Sequence, residues 1–142
     1  MQVPPASEDA IKELLSQPIV AKIATTSKSG DIRITPIWFG VDGDTVLMNT
    51  FEDSALVKNL RRNPRCSIII DTNTFPYHGV HYWGTATVEG PNDDVEGIAK
   101  LFTPYRGDVD TAREYARTLI GWGTRVYVRF TATRQTSWDF RG

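Results

Sequence analysis

Twelve residues, Ser54 to Arg65 (SALVKNLRRNPR), hold four cations: Lys58, Arg61, Arg62 and Arg65. On a helix these fall at i, i+3, i+4 and i+7, a single positive stripe opposite Leu56, Val57 and Leu60. Such a stripe either complements the helix dipole while facing water, or grips an anion. Just upstream, Asn49, Thr50 and Ser54 bring side-chain donors to the point where a strand feeds a helix N-terminus, and the free backbone N–H groups there favour a phosphate. A phosphate is therefore expected at the front of this helix, from Thr50 to Ser54, and not along its stripe.

Other chemistries find less support. His78 and His81 are the only histidines; their odd separation on a strand sends the rings to opposite faces, and a third ligand at motif spacing is missing, so no metal site is expected. Cys66 is the only cysteine and sits in an apolar run, as inert packing does; one cysteine also excludes an intrachain disulfide and fits a reducing compartment, which makes the cytoplasm the expected location. No Gly-flanked serine elbow, P-loop or dinucleotide fingerprint is present. If a proton donor is needed, Tyr82 and His81 are the candidates. Sixteen basic residues against seventeen acidic ones leave a formal charge of −1. Such a balance argues against a nucleic-acid partner, although Trp38, Trp83 and the basic helix would make a stacking platform. No apolar run approaches the roughly 20 residues that span a bilayer, and Met1 to Lys12 lacks the apolar stretch of a signal peptide, so no membrane partner is expected.

These side chains need elements to hold them. Ser7 to Ser16 reads as a capped helix ended by Pro18. Ile19 to Thr26 and Ile32 to Val41 read as a hairpin, and Asp42-Gly43-Asp44 turns the chain into a third strand, Thr45 to Phe51. The basic stretch is a helix of two to three turns stopped by Pro64; Cys66 to Thr72 and Val80 to Glu89 are two further, well-buried strands. Asn92 to Phe102 forms one helix, and Thr111-Ala112-Arg113-Glu114 is a capping box opening another that Gly121 and Gly123 close. Arg125 to Ala132 alternates cleanly, and Thr136 to Phe140 adds a short last strand. The expectation is a mainly β fold with flanking helices: one domain over residues 1–142, with an N-terminal helix and tail at 1–18 and a helical insertion at 92–123. Six or seven antiparallel strands suit a small barrel, or an open sheet with helices on one face.

The succession IATTSKSGDIRITPIWFGVDGDTVLMNTFEDSALVKNLRRNPRCSIII, followed by WGTATVEG and RVYVRFTATRQTSWDF, resembles the pyridoxamine-phosphate-oxidase-like split barrels. Within them it is most similar to the flavin and deazaflavin oxidoreductases that use coenzyme F-420. Ile19 to Glu89 and Arg125 to Phe140 carry the resemblance, and Asn59 to Arg65 is its most specific element. It implies an FMN-binding type of split β-barrel, a homodimer, and a cofactor in the groove between subunits. Thr35, Pro36, Ile37 and Trp38 would then lie along the ring, and Asn49, Thr50, Ser54 and Asn59 near the phosphate end. Trp83 and Trp138 would border the pocket, unless they serve core or interface.

Members of that group usually carry a basic residue three positions before the Asn, often with another two before that; here Leu56 and Ser54 stand there. A charge-assisted contact contributes about 1.5 to 3 kcal/mol where a neutral hydroxyl gives about 1. Lys58 and Arg61 are the nearest substitutes. FMN, with its single strong anion, suffers most, whereas F-420 spreads its charge along a phosphodiester and glutamyl tail. The implied function is hydride transfer from reduced F-420 to a small conjugated or quinone-like substrate. The alternatives are an FMN-dependent oxidoreductase of the same fold, or a non-catalytic carrier of a flavin, haem or apolar ligand.

Overall fold

A computed structural model describes residues 2–142. Helix α1 (Glu8–Leu15) is followed by strands β1 (Ala21–Thr26), β2 (Ile32–Ile37), β3 (Phe39–Asp42) and β4 (Thr45–Phe51). Then come α2 (Ala55–Arg62), β5 (Arg65–Asp71), β6 (His78–Asn92), α3 (Val95–Arg106), α4 (Val109–Trp122) and β7 (Arg125–Asp139). All seven strands form one antiparallel sheet in the order β2-β1-β5-β6-β7-β4-β3. The two end strands, β2 and β3, are separated in sequence by Trp38 alone, so the chain itself links the two edges of the sheet.

That link corrects one expectation: Ile32 to Val41 is two strands, divided at Trp38. The indole leaves the sheet to stack on Tyr105 of α3, with ring centroids 4.6 Å apart and planes 11° apart. The Tyr105 hydroxyl donates to the Ile19 carbonyl at 2.7 Å and accepts from the Phe39 N–H at 3.1 Å, which ties the residue just after the break to the segment leading into β1. Other boundaries also move. The helix expected over Asn92 to Phe102 is α3, Val95–Arg106: β6 runs on to Asn92, and the Asp94 side chain caps the helix by accepting from the Gly97 N–H at 3.1 Å. Helix α4 starts at Val109, because Asp108 and not Thr111 is its cap: the Asp108 carboxylate accepts from the Thr111 N–H at 2.8 Å and from its hydroxyl at 2.9 Å. The last two strands are one, β7, which pairs with β6 from Arg125 to Asp139 through irregularities at Trp83/Gly84 and Glu89/Asn92.

Inside the curved sheet, Ile23, Met48, Ile68, Ile70, Val80, Val128 and Phe130 pack with Leu14 of α1 and with Leu56 and Leu60 of α2. Helix α2 forms where Ser54 accepts from the Val57 N–H at 3.2 Å, and its apolar stripe faces inward. A second cluster, Ile98, Phe102, Ala112, Ala116 and Leu119, seats α3 and α4 on the opposite side of β3 and β4, against Trp38, Phe51 and Tyr127. Close approach there needs Gly40: a Cβ at that position would lie 2.7 Å from Leu101 Cδ1. Among the described residues no helix is long and apolar enough to cross a membrane.

Candidate functional site

Strand register decides which of the expected residues meet. Paired residues of antiparallel strands share a face, and on β1 Ala21, Ile23 and Thr25 are buried. Their partners Ile37 and Thr35 therefore point inward, while Pro36, Ile34 and Ile32 lie outside with Lys22, Ala24 and Thr26. The same outer face continues through Ser67 and Ile69 of β5 to Trp83 and His81 of β6, and on to Arg134 and Thr136 of β7. The four consecutive residues expected along a ring are thus divided: Pro36 outside, Thr35 and Ile37 inside, Trp38 in the helical layer.

On this outer face lies a groove of about 500 Å³, walled by Thr26, Ile32, Arg65, Ser67 and Trp83 among others. The Trp83 indole meets the His81 ring at 3.8 Å between centroids, and the Arg134 guanidinium lies over it at 4.0 Å. Burial first, and the Arg134 charge second, push the His81 pKa below its ordinary value, so the ring is neutral at pH 7. Trp138 belongs to the same face farther along, its indole laid against Gly79, where a Cβ would come 2.6 Å from Trp138 Cζ2. Ile32 and Ile34 stand 74% and 67% exposed beside the groove.

Tyr82 points the other way. It is buried near Phe130 with its pKa raised by burial, so the two proton-donor candidates lie on opposite faces. His78 and His81 do not make a metal pair either, because His78 is buried and turned to Thr72. No cluster of three or more potential metal ligands exists among the described residues.

The phosphate end is also rearranged. The Ser54 hydroxyl is used as the helix cap. Asn59 is buried and donates to Thr25 Oγ1 at 3.1 Å. Arg61 pairs with Glu52 at 3.4 Å, and Lys58 is exposed without an ion pair among the described residues. The stripe is not continuous, because Arg65 starts β5. Arg62 reaches the Thr26 carbonyl at 3.3 Å, so Arg62 and Arg65 put the positive charge at the edge of the outer groove. Leu56, where the resemblance places a cation, is 2% exposed within the core.

Asn49 parts company with Ser54. On β4, Leu47, Asn49 and Phe51 pair with Arg129, Tyr127 and Arg125 of β7 and face α3 and α4. The Asn49 Oδ1 accepts from Arg125 Nε at 2.8 Å, and its backbone carbonyl accepts from Arg125 Nη2 at 3.3 Å. A cavity of about 210 Å³ opens here between Trp38, Asn49, Thr50, Phe51, Phe102, Tyr115, Leu119 and Arg125. Two buried side-chain polar atoms have no partner among the described residues, Thr35 Oγ1 and Asn49 Nδ2, and both belong to residues expected at the site.

Arg125 was not anticipated from the sequence. The alternation of Val126, Val128 and Phe130 placed it on the side away from the core, which reads as solvent until the helical pair is seen to cover that side. Ile32 and Ile34 were legible in principle, since their two-residue spacing puts two apolar side chains on one face of β2.

No curated protein sequence matches the chain. Among solved structures, a conserved hypothetical protein from Mycobacterium tuberculosis superposes with a TM-score of 0.80 at 25% identity, over 98% of this chain and 88% of that one. An F420 reductase superposes with a TM-score of 0.71 at 20% identity, over 92% of this chain and 98% of the other. HutZ, the haem storage protein of Vibrio cholerae, superposes with a TM-score of 0.74 at 14% identity, over 95% and 98%. The family model described as pyridoxamine 5'-phosphate oxidase matches residues 7–134, nearly all of the seven-stranded architecture described above, and the chain belongs to that family.

Proposed function

We propose that this protein is a homodimeric oxidoreductase that binds reduced coenzyme F-420 in a groove between protomers and delivers a hydride to a small conjugated or quinone-like acceptor. The observation that carries the reading is the outer sheet face. Exposed Ile32 and Ile34 border a groove with an aromatic wall at Trp83 and positive charge at Arg62 and Arg65. Contiguous exposed apolar surface beside a groove marks a binding face, and an open groove of this kind is half of a site that a second copy completes. Such a groove fits a planar aromatic ring with a long anionic tail. The core position of Leu56 favours F-420 over FMN, because no cation can grip a single phosphate from there.

A bound reduced deazaflavin would supply a hydride, that is two electrons with one proton; this chain's part would be to bind it, orient the acceptor and exclude water. The proton that completes reduction of the acceptor does not come from Tyr82, which is enclosed in the core with its pKa raised. His81 lies on the same outer face against Trp83 and is neutral, so it accepts a proton more readily than it gives one up at pH 7. Water is left as the proton source.

The test is titration of purified protein with F-420 and with FMN, followed by fluorescence, then turnover with quinone acceptors. Micromolar F-420 binding with FMN at least tenfold weaker is the expected result; no binding of either at millimolar concentration overturns it. A second reading, haem carriage without turnover, is favoured by one observation: neutral His81 is a competent iron ligand on the same outer face. In that case haem, and not F-420, would bind the purified protein and give a Soret band that His81→Ala abolishes.

A further inference from the structure

The cavity between β4, β7 and the α3–α4 pair has a feature that packing does not explain. Arg125 is 4% exposed, yet it takes part in none of the ion pairs among the described residues. Two of its N–H directions end on Asn49, and its guanidinium lies 4.3 Å from the Phe51 ring centroid. Its remaining N–H groups have no acceptor among those residues. Beside it the Asn49 Nδ2 donor is buried and unmet. A buried cation without a counter-charge and a buried donor without an acceptor are each costly, and here the two residues that carry them line one cavity. Burial alone already presses on the charged form of Arg125.

The rest of the wall is apolar and aromatic. Trp38, Phe102 and Tyr115 meet one another at 5.2 to 5.9 Å between ring centroids, and Leu119 closes the side formed by α4. Stacking on Tyr105 and the Tyr105 hydrogen bonds hold the Trp38 ring in place, so the slot is already formed. No carboxylate lines it. About 210 Å³ admits a single aromatic ring with a small substituent and is too small for a three-ring cofactor.

We propose that this cavity is a second ligand site, separate from the outer-face groove, that binds a small planar carboxylate of the benzoate class. The carboxylate takes the free N–H groups of Arg125 and the Nδ2 donor of Asn49, and the ring lies among Trp38, Phe102 and Tyr115. One anion answers both unmet groups at once, and planar bidentate pairing is the geometry that guanidinium favours. A neutral isostere of the same shape fills the slot but leaves the cation unpaired, so charge dominates the selectivity. The site does not depend on the identity of the cofactor.

Benzoate is the probe and benzamide its neutral control. Nitrogen–proton NMR spectra of the whole chain are recorded during titration with each, following the Arg125 Nε–H and Asn49 Nδ2 signals. Both signals should shift with benzoate, and benzamide should bind at least about tenfold more weakly, which is about 1.4 kcal/mol. Leu119→Phe, which fills the cavity from α4 without touching Arg125, should abolish binding; Arg125→Met should do the same and leave benzamide unaffected if it folds. Saturating F-420 should leave the benzoate affinity unchanged. Equal binding of benzoate and benzamide, no shift of either signal at millimolar benzoate, binding that survives Leu119→Phe, or displacement of benzoate by F-420 would each overturn the proposal.

Discussion

Asn59 donates its side-chain N–H to Thr25 Oγ1 at 3.1 Å, a buried bond between α2 and β1 that spans 34 residues of sequence. Its Oδ1 accepts from Arg62 Nη1 at 3.3 Å, and Arg62 in turn reaches the Thr26 carbonyl. Pro64 ends the helix, and its carbonyl accepts from the Ala86 N–H at 3.0 Å. The stretch Asn59 to Arg65 is therefore a clasp between helix and sheet. Asn59→Ala leaves Thr25 buried without its partner, which should cost about 1 to 3 kcal/mol and lower the Tm by several degrees. Thermal unfolding followed by circular dichroism checks this, and a variant as stable as the wild type would remove the clasp.

Leu56 makes a sharper case. Relatives are expected to carry a cation here, but in this chain the side chain is packed with Leu60 in the main core. Leu56→Lys would bury an ammonium without a partner and should destabilise the fold by about 3 kcal/mol or more, with no increase in FMN affinity. Urea unfolding and FMN titration of the same variant decide the matter. A stable Leu56→Lys protein that binds FMN tightly would show that the position still faces the phosphate.

Local rules carried far in this sequence. Ser54 as cap, Pro64 as stop and the Asp42-Gly43-Asp44 turn act within a few residues, so α2 and the β3–β4 hairpin were legible. What depended on distant contacts was not. Nothing local to Trp38 says that it abandons its strand for Tyr105, 67 positions later, and nothing local to Arg125 says that a helical pair will roof it. The phosphate-end residues show the same limit: Asn49 and Ser54 are near in sequence, yet alternation on β4 turns Asn49 to the helical layer while Ser54 caps α2.

The His81–Trp83–Arg134 stack predicts a pH dependence. The folded pKa of His81 is lowered, first by burial and then by Arg134. Below its ordinary value of about 6.5 the unfolded chain therefore binds the proton more readily, so this group's contribution to stability is present above that pH and is lost as pH falls toward the folded pKa. NMR titration of the His81 ring should give a midpoint below the ordinary value, and Arg134→Gln should raise it. A midpoint that ignores the substitution would remove the Arg134 part of the explanation.

Cys66 should be unreactive in the folded protein. It points inward on β5 next to Ile68, and burial pushes its thiol up to about 12, so the thiolate is scarce at neutral pH. Alkylation by iodoacetamide at pH 8 should be slow in buffer and fast in urea. Equal rates in the two would mean that this part of the inner face of the sheet is open to solvent.

Ile34 tests the outer face without touching the core. Its side chain is 67% exposed within one chain, so Ile34→Asp should leave the intrinsic stability of the protomer nearly unchanged. In a dimer formed through this face the new carboxylate would be buried against apolar surface with no partner, at a cost large enough to split the assembly. Light scattering should then give twice the 15.9 kDa chain mass for the wild type and the single mass for the variant. F-420 affinity should fall with dimerisation, because the groove beside Trp83 and Arg65 would lose its second wall. A variant that stays dimeric, or that becomes monomeric and binds F-420 as before, would separate the groove from the interface and return the cofactor to a site within one chain.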